Sequence, residues 1–174
     1  MLSFKKIKSV VFAVFFLSST FFTNASLAED SKWTYDVRAS SGTQNNRTYN
    51  EIHLGLNWSF SEFLTWRNSV FTRSGDQTKT VNGLDSSLLL SYDKTSKDNK
   101  FGFGAYVGPG VRLASDKYSA ATGEAGIKIR LGGLQFGVGA KHLRYFDTRK
   151  DVDGVSLPKD ENQLFITLSG GGSL

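Results

Sequence analysis

The sequence has no cysteine, which excludes disulfide scaffolds, thiolate metal sites, cysteine nucleophiles and Cys-ligated iron–sulfur clusters. Histidine is scarce too. His53 and His142 are the only two, far apart and without an H-x-x-x-H spacing, so no metal site is expected. Beyond residue 28 there is no apolar run of helical membrane-crossing length and hardly any 3.6-residue periodicity. A phosphate-cradling glycine loop is missing as well: G-F-G-A-Y-V-G alternates like a strand and no helix follows it, so no cofactor is expected. With 174 residues, 39% hydrophobic and 21% charged, the chain suits one domain rather than a repeat array or a disordered tail.

A one-signed charge excess is also missing once the N-terminus is read. Residues 1–28 place Lys5, Lys6 and Lys8 before an apolar stretch from Val10 to Leu17, then small and polar residues ending in Ala25-Ser26-Leu27-Ala28. This is the three-part pattern of a cleaved secretory signal, and Ser18, Ser19, Thr20, Thr23 and Asn24 cut the apolar run short of a membrane anchor. The formal charge of +5 includes those three lysines, so residues 29–174 carry 18 basic against 16 acidic groups. No nucleic-acid partner is expected from so small a balance.

What is present is a two-residue period. Apolar residues alternate with polar or small ones in eight segments: Trp33 to Ala39, Ile52 to Phe60, Leu64 to Val70, Leu84 to Tyr92, Phe101 to Val111, Ala121 to Leu131, Leu134 to Ala140 and Leu164 to Leu168. Eight antiparallel strands of about 9–11 residues in a meander predict an all-β, eight-stranded up-and-down barrel. A soluble barrel has an apolar lumen, whereas a transmembrane barrel turns its apolar set outward. The polar set here holds Asp36, Arg38, Glu51, His53, Arg67, Asp85, Glu124, Lys128, Arg130 and Lys141 among many Gly, Ser and Thr. Charges of both signs interleaved with small residues fit a narrow, salt-bridged lumen, in which Phe71, Tyr106 and Phe165 are the large inward plugs. Cross-strand pairs such as Glu124 with Lys128 or Arg67 depend on a register that sequence does not fix.

Loops and aromatics add polarity. Connections 2–3 and 6–7 (Gly132-Gly133) are short, whereas 1–2 (residues 41–50), 3–4 (74–82) and 7–8 (147–162) are long and polar, as expected of turns on one side of a membrane and loops on the other. The 4–5 connection is longer than that pattern. Trp33, Tyr35, Trp58, Phe60, Trp66, Tyr92, Phe101 and Phe103 fall near the short-turn end of the apolar face and read as an interfacial girdle. Pro109, which cannot donate to a ladder, predicts a bulge.

With the signal, the eight alternating strands, the K-F-G-F-G-A-Y-V-G-P-G-V-R-L strand and the apolar L-F-I-T-L-S-G strand, the chain resembles the small outer-membrane β-barrels of Gram-negative bacteria. The resemblance implies a monomer in the cell outer membrane, in contact with membrane lipid and lipopolysaccharide and inserted by the outer-membrane assembly machinery. Members of that superfamily usually end in an aromatic residue; this chain ends in Leu174. The segment K-H-L-R-Y-F and the strand that follows resemble the end of the lipid A deacylase barrels. That resemblance puts His142 in the position of the base and Glu161 in that of the acid, but Arg144 in that of the nucleophile, so Ser156 would have to supply the hydroxyl. The reading is a barrel with a structural or surface-interaction role. Alternatives are a deacylase-like enzyme or its non-catalytic relative, a soluble periplasmic ligand binder, and a pore.

Overall fold

The computed structural model describes residues 33–96 and 101–171; the signal segment 1–28 and Leu174 lie outside the described residues. Eight strands, β1 (Trp33–Gln44), β2 (Arg47–Ser59), β3 (Leu64–Gly75), β4 (Val81–Thr95), β5 (Phe101–Ala114), β6 (Ala120–Leu131), β7 (Leu134–Tyr145) and β8 (Asp160–Gly171), pair antiparallel in sequence order. β1 closes on β8, so the sheet is a barrel without free edges.

The stagger of this barrel follows from the pairing. Going one way round, Arg38 leads through His53, Phe71 and Gly83 to Ala114; going the other, it leads through Thr167, Gly137 and Lys128 to Gly104. The two paths reach β5 ten residues apart, 114 against 104, and that shear tilts the strands and sets the narrow bore. Residues distant along the ladder thereby meet across the lumen.

The alternation sorts the faces. Leu54, Val70, Leu90, Val107, Ile127, Val138, Leu164 and Ile166 are exposed on the outside, while Asp36, Arg38, Glu51, Asp85, Arg112, Glu124 and Lys141 are buried inside. This is the polarity of a transmembrane barrel, and the reverse of a soluble binder with an apolar lumen. Phe71, Tyr106 and Phe165 point inward and are buried. The plugs fit because glycines face them. A Cβ on Gly126 would lie 2.6 Å from the Tyr106 hydroxyl oxygen, and one on Gly139 would lie 2.5 Å from Cζ of Phe165.

Three expectations need correction. The strands run 12–15 residues, longer than expected. Ladder hydrogen bonds continue past the apolar band whatever the outward side chain, because there it meets water. The 1–2 loop consequently shrinks to Asn45-Asn46, both with positive φ, in a two-residue hairpin turn. The 3–4 and 4–5 connections are five residues each, 76–80 and 96–100, so only residues 146–159 form a long loop. Finally, Pro109 makes no register shift: Ser87 pairs Gly110 and Leu90 pairs Val107, on one register, although Leu88 and Leu89 have no partner on β5. The proline opens the ladder locally without adding a residue.

The aromatic girdle lies at the end that carries the 2–3, 4–5 and 6–7 turns, here called the turn end; the opposite one, carrying residues 146–159, is the loop end. Trp33 stacks on Trp58 at 5.0 Å, Trp58 meets Phe60 at 4.9 Å, and Phe60 stacks on Trp66 at 6.4 Å. Tyr92, Phe101 and Phe103 are exposed on the same face, with Tyr35 half-buried beside Trp33.

Candidate functional site

The lumen holds a continuous lattice of charge. At its centre, Glu51 on β2 accepts hydrogen bonds from Arg73 Nε at 2.6 Å, from both terminal nitrogens of Arg112 at 2.9 Å, and from Gln163 at 3.0 Å. Asp85 on β4 takes Arg112 through a two-point contact at 2.7 and 2.8 Å and Lys141 at 2.9 Å. Glu124 on β6 receives Arg38 at 2.9 Å and Arg67 at 3.2 Å. Arg67 also reaches Asp36 at 3.3 Å. Of the two partners expected for Glu124, the register thus selects Arg67, and Lys128 pairs instead with Asp93 at 2.9 Å.

Cations and rings are stacked as well as paired. The guanidinium carbons of Arg73, Arg112 and Arg38 lie 3.8, 4.0 and 4.6 Å over the rings of Tyr49, Phe71 and Phe165. Each ring covers a guanidinium face that would otherwise need water. Buried charges are tolerable only when opposed and hydrogen-bonded, and removing one partner costs far more than the pair contributes.

The loop end extends the lattice beyond the lumen charges expected from the alternation, and it draws Glu161 into it. Glu161 accepts from Gln44 at 2.7 Å, Arg73 at 2.9 Å, Tyr145 at 3.2 Å, Arg149 at 3.2 Å and the Tyr49 hydroxyl. Tyr118, Tyr145 and Leu157 are buried around them. The available signal was the continued alternation of Tyr49 with Glu51, Phe71 with Arg73, and Glu161 with Gln163 and Phe165, past the point where the outward residues cease to be apolar.

Residues 146–159 fold over this end. Arg149 reaches inward to Glu161 and donates to the Pro158 carbonyl at 2.5 Å. Asp151 Oδ1 accepts from the backbone N–H of Asp153 and Val155, and its other oxygen from the Asn45 amide at 3.2 Å. Desolvation opposes ionisation of Asp151, but the Val155 N–H, the Asn45 amide and the Asp153 N–H outweigh it and hold the carboxyl below its usual value.

The turn end is different. Lys128, Arg130, Thr34, Thr65 and Ser91 are only half-buried there, and the Lys128–Asp93 pair is about a quarter to a third exposed, at 24% and 34%. Lys128 and Arg130 therefore belong to an open mouth rather than to the buried stretch of the lumen.

His53 is buried beside Glu51 at 3.1 Å, with Ser40 at 3.5 Å and Asp85 at 3.6 Å. Serine, histidine and aspartate are the residue types of a hydrolytic triad, but the Ser40 contact is at the limit of a hydrogen bond. Asp85 is already committed to Arg112 and Lys141, and Phe71 stacks on the imidazole at 5.4 Å. The arrangement packs the lumen and offers no substrate an approach.

On the outer surface, His142 is exposed, with Nδ1 2.8 Å from Asn162 Oδ1 and Nε2 3.5 Å from Asp160. The residues placed together by the deacylase resemblance are not assembled. His142 pairs across the ladder with Asn162, while Glu161 pairs with Leu143 and points into the lumen, on the opposite face of the sheet. Ser156 stays in the loop, bridged to Lys150, and Arg144 is exposed two residues beyond His142. The two-residue period explains the separation, since neighbours in a strand point to opposite faces. Below His142 is a shallow groove of about 1060 Å³, lined by Val107, Pro109, Gly123, Ala125, Ala140 and Leu164 among others. Among the described residues no group of three or more His, Asp or Glu could hold a metal ion.

No family model matches the sequence, and no curated protein matches it. Among solved structures, the fold is similar to the crystal structure of the outer membrane enzyme PagL, with a TM-score of 0.49 and 14% identity, covering 76% of this chain and 97% of that one.

Proposed function

We propose that this protein is an outer-membrane barrel of the Gram-negative cell envelope with a structural or surface-interaction role and a lumen that does not conduct. The carrying observation is the filled interior. Five carboxylates, Asp36, Glu51, Asp85, Glu124 and Glu161, interlock with Arg38, Arg67, Arg73, Arg112, Lys141 and Arg149, and residues 146–159 cover the loop end. An eight-stranded bore packed in this way leaves no aqueous path.

The outward apolar face and the aromatic girdle support insertion with the turn end toward the periplasm, in the orientation usual for such barrels. Residues 146–159 then face outside, and Phe146, Val152 and Val155 are exposed on them. That apolar display is a surface for a partner or for lipopolysaccharide. The shallow groove below His142 is filled by acyl chains of the outer leaflet. Ester hydrolysis is not proposed: among the described residues no hydroxyl nucleophile is hydrogen-bonded to His142, and Glu161 is on the other side of the sheet.

Cell fractionation with unboiled and boiled gel samples tests the envelope reading, and planar-bilayer recording tests the lumen. Heat-modifiable migration from the outer-membrane fraction, with no unitary conductance, is expected. Recovery from the soluble periplasm would overturn the membrane reading, and steady anion-selective steps would overturn the sealed lumen.

A further inference from the structure

On the outer face, Asn68 and Ser86 form a small polar island among apolar side chains. Asn68 on β3 pairs across the ladder with Leu56 and Ser86, and around it Leu54, Leu56, Val70, Leu84 and Leu88 are all exposed. Trp66 Nε1 donates to Ser86 Oγ at 2.9 Å, and Ser86 Oγ donates to Asn68 Oδ1 at 2.8 Å. The relay runs one way, and it ends on the amide. Asn68 Oδ1 keeps a second lone pair, and its NH₂ has no hydrogen-bond partner among the described residues. Hydrocarbon satisfies neither group, and polar side chains inside a membrane mark contacts with other protein.

We infer that the β3–β4 outer face, centred on Asn68, is the contact surface between two copies of this barrel. A primary amide is self-complementary: across a two-fold axis, each Asn68 NH₂ donates to the other copy's Oδ1, and both copies keep their Ser86 bond. The same patch on both partners is what a two-fold dimer requires. The surrounding leucines and Val70 supply the packing, and the relay from Trp66 and Ser86 orients the amide before association. The resemblance to the small outer-membrane barrels implies a monomer instead.

This inference rests on the membrane reading above, and the two fail differently. The cysteine-free chain allows a direct test, with Val70→Cys beside Asn68 and Val138→Cys, four strands away on β7, as the control. Each full-length variant is reconstituted at low protein-to-lipid ratio in phosphatidylethanolamine–phosphatidylglycerol vesicles and treated with a short bis-maleimide. Heat-modifiable migration verifies folding of every variant. Val70→Cys is expected to give a species of doubled mass, with Val138→Cys giving background. Adding Asn68→Leu to Val70→Cys should weaken association roughly fivefold to tenfold, the worth of two membrane hydrogen bonds of ordinary strength. Asn68→Gln should restore part of it. Equal cross-linking at residues 70 and 138, or a yield unmoved by Asn68→Leu, would overturn the dimer while leaving the membrane barrel intact. A chain that does not enter vesicles would overturn the membrane reading instead.

Discussion

The two ends of the lumen solve the problem of charge inside a barrel in opposite ways. At the loop end, arginines, tyrosines and carboxylates are packed shut: Arg73 and Arg149 are buried against Tyr49, Tyr118, Tyr145 and Glu161. At the turn end, the interior residues are mainly small hydroxyl and amide side chains, and the acid–base pair at the mouth, Lys128–Asp93, is partly exposed. The first arrangement is rigid because an unpaired charge there has no water to turn to. The second is tolerant because water is an alternative partner. Similar ionic contacts at similar distances, 2.9 Å for Arg73–Glu161 and for Lys128–Asp93, therefore do different work, and the environment decides which.

The largest effect that would break this comparison is expected from Glu51→Ala. It leaves Arg73 and Arg112 without their shared acid, and by the cost of breaking a buried pair it should lose roughly 3–5 kcal/mol. Denaturant unfolding in detergent, followed by tryptophan fluorescence, checks it, and the same scan on Lys128→Ala should show less than about 1 kcal/mol. Next in size is Gly126→Ala, which forces Tyr106 to move and should cost about 1–3 kcal/mol by overpacking. Gly137→Ala, whose added Cβ would have its nearest neighbour at 3.3 Å, should unfold closer to the parent in the same assay.

Arg149→Ala sharpens the contrast between the ends, since it removes the link from the loop to Glu161 and the stack on Tyr145 at 3.2 Å. It should raise hydrogen exchange in residues 146–159 and the adjoining ends of β7 and β8, and leave the turn end unchanged. The smallest effect is on pH dependence. The Asp151 carboxyl is held below its usual value in the folded loop, so its contribution is fully present above the ordinary aspartate value of about 4 and is lost as pH falls through the lowered folded value. Proteolysis of the 146–159 loop should therefore quicken below about pH 4, and Asp151→Asn should flatten that dependence.

Much of this fold is legible in the sequence, because strand alternation is local. Each residue's face follows from its neighbours' polarity, and that is enough to place Asp36, Arg38, Glu51, Asp85, Glu124 and Lys141 inside. Legibility ends where the pattern's cause ends: Tyr49, Arg73 and Glu161 face inward at heights where the outward residues are polar too, so no apolar contrast marks the strand. His142 and Glu161 are parted for a related reason: the period of two sends Glu161 to the other face from a histidine whose ladder partner is Asn162.

The sequence by itself thus determined the eight strands, the inward and outward sets, and the aromatic girdle, because each depends on contacts within a few residues. Only the tertiary structure decided the partners. Closure with a stagger of ten residues brings Arg38 and Arg67 to Glu124 and carries Arg112 to both Glu51 and Asp85. It also fixes that Glu161 closes one end of the lumen while Lys128 and Asp93 stand at the open mouth of the other. Coulombic and hydrogen-bond energies depend on distance across the bore, and that distance exists only once β1 has met β8.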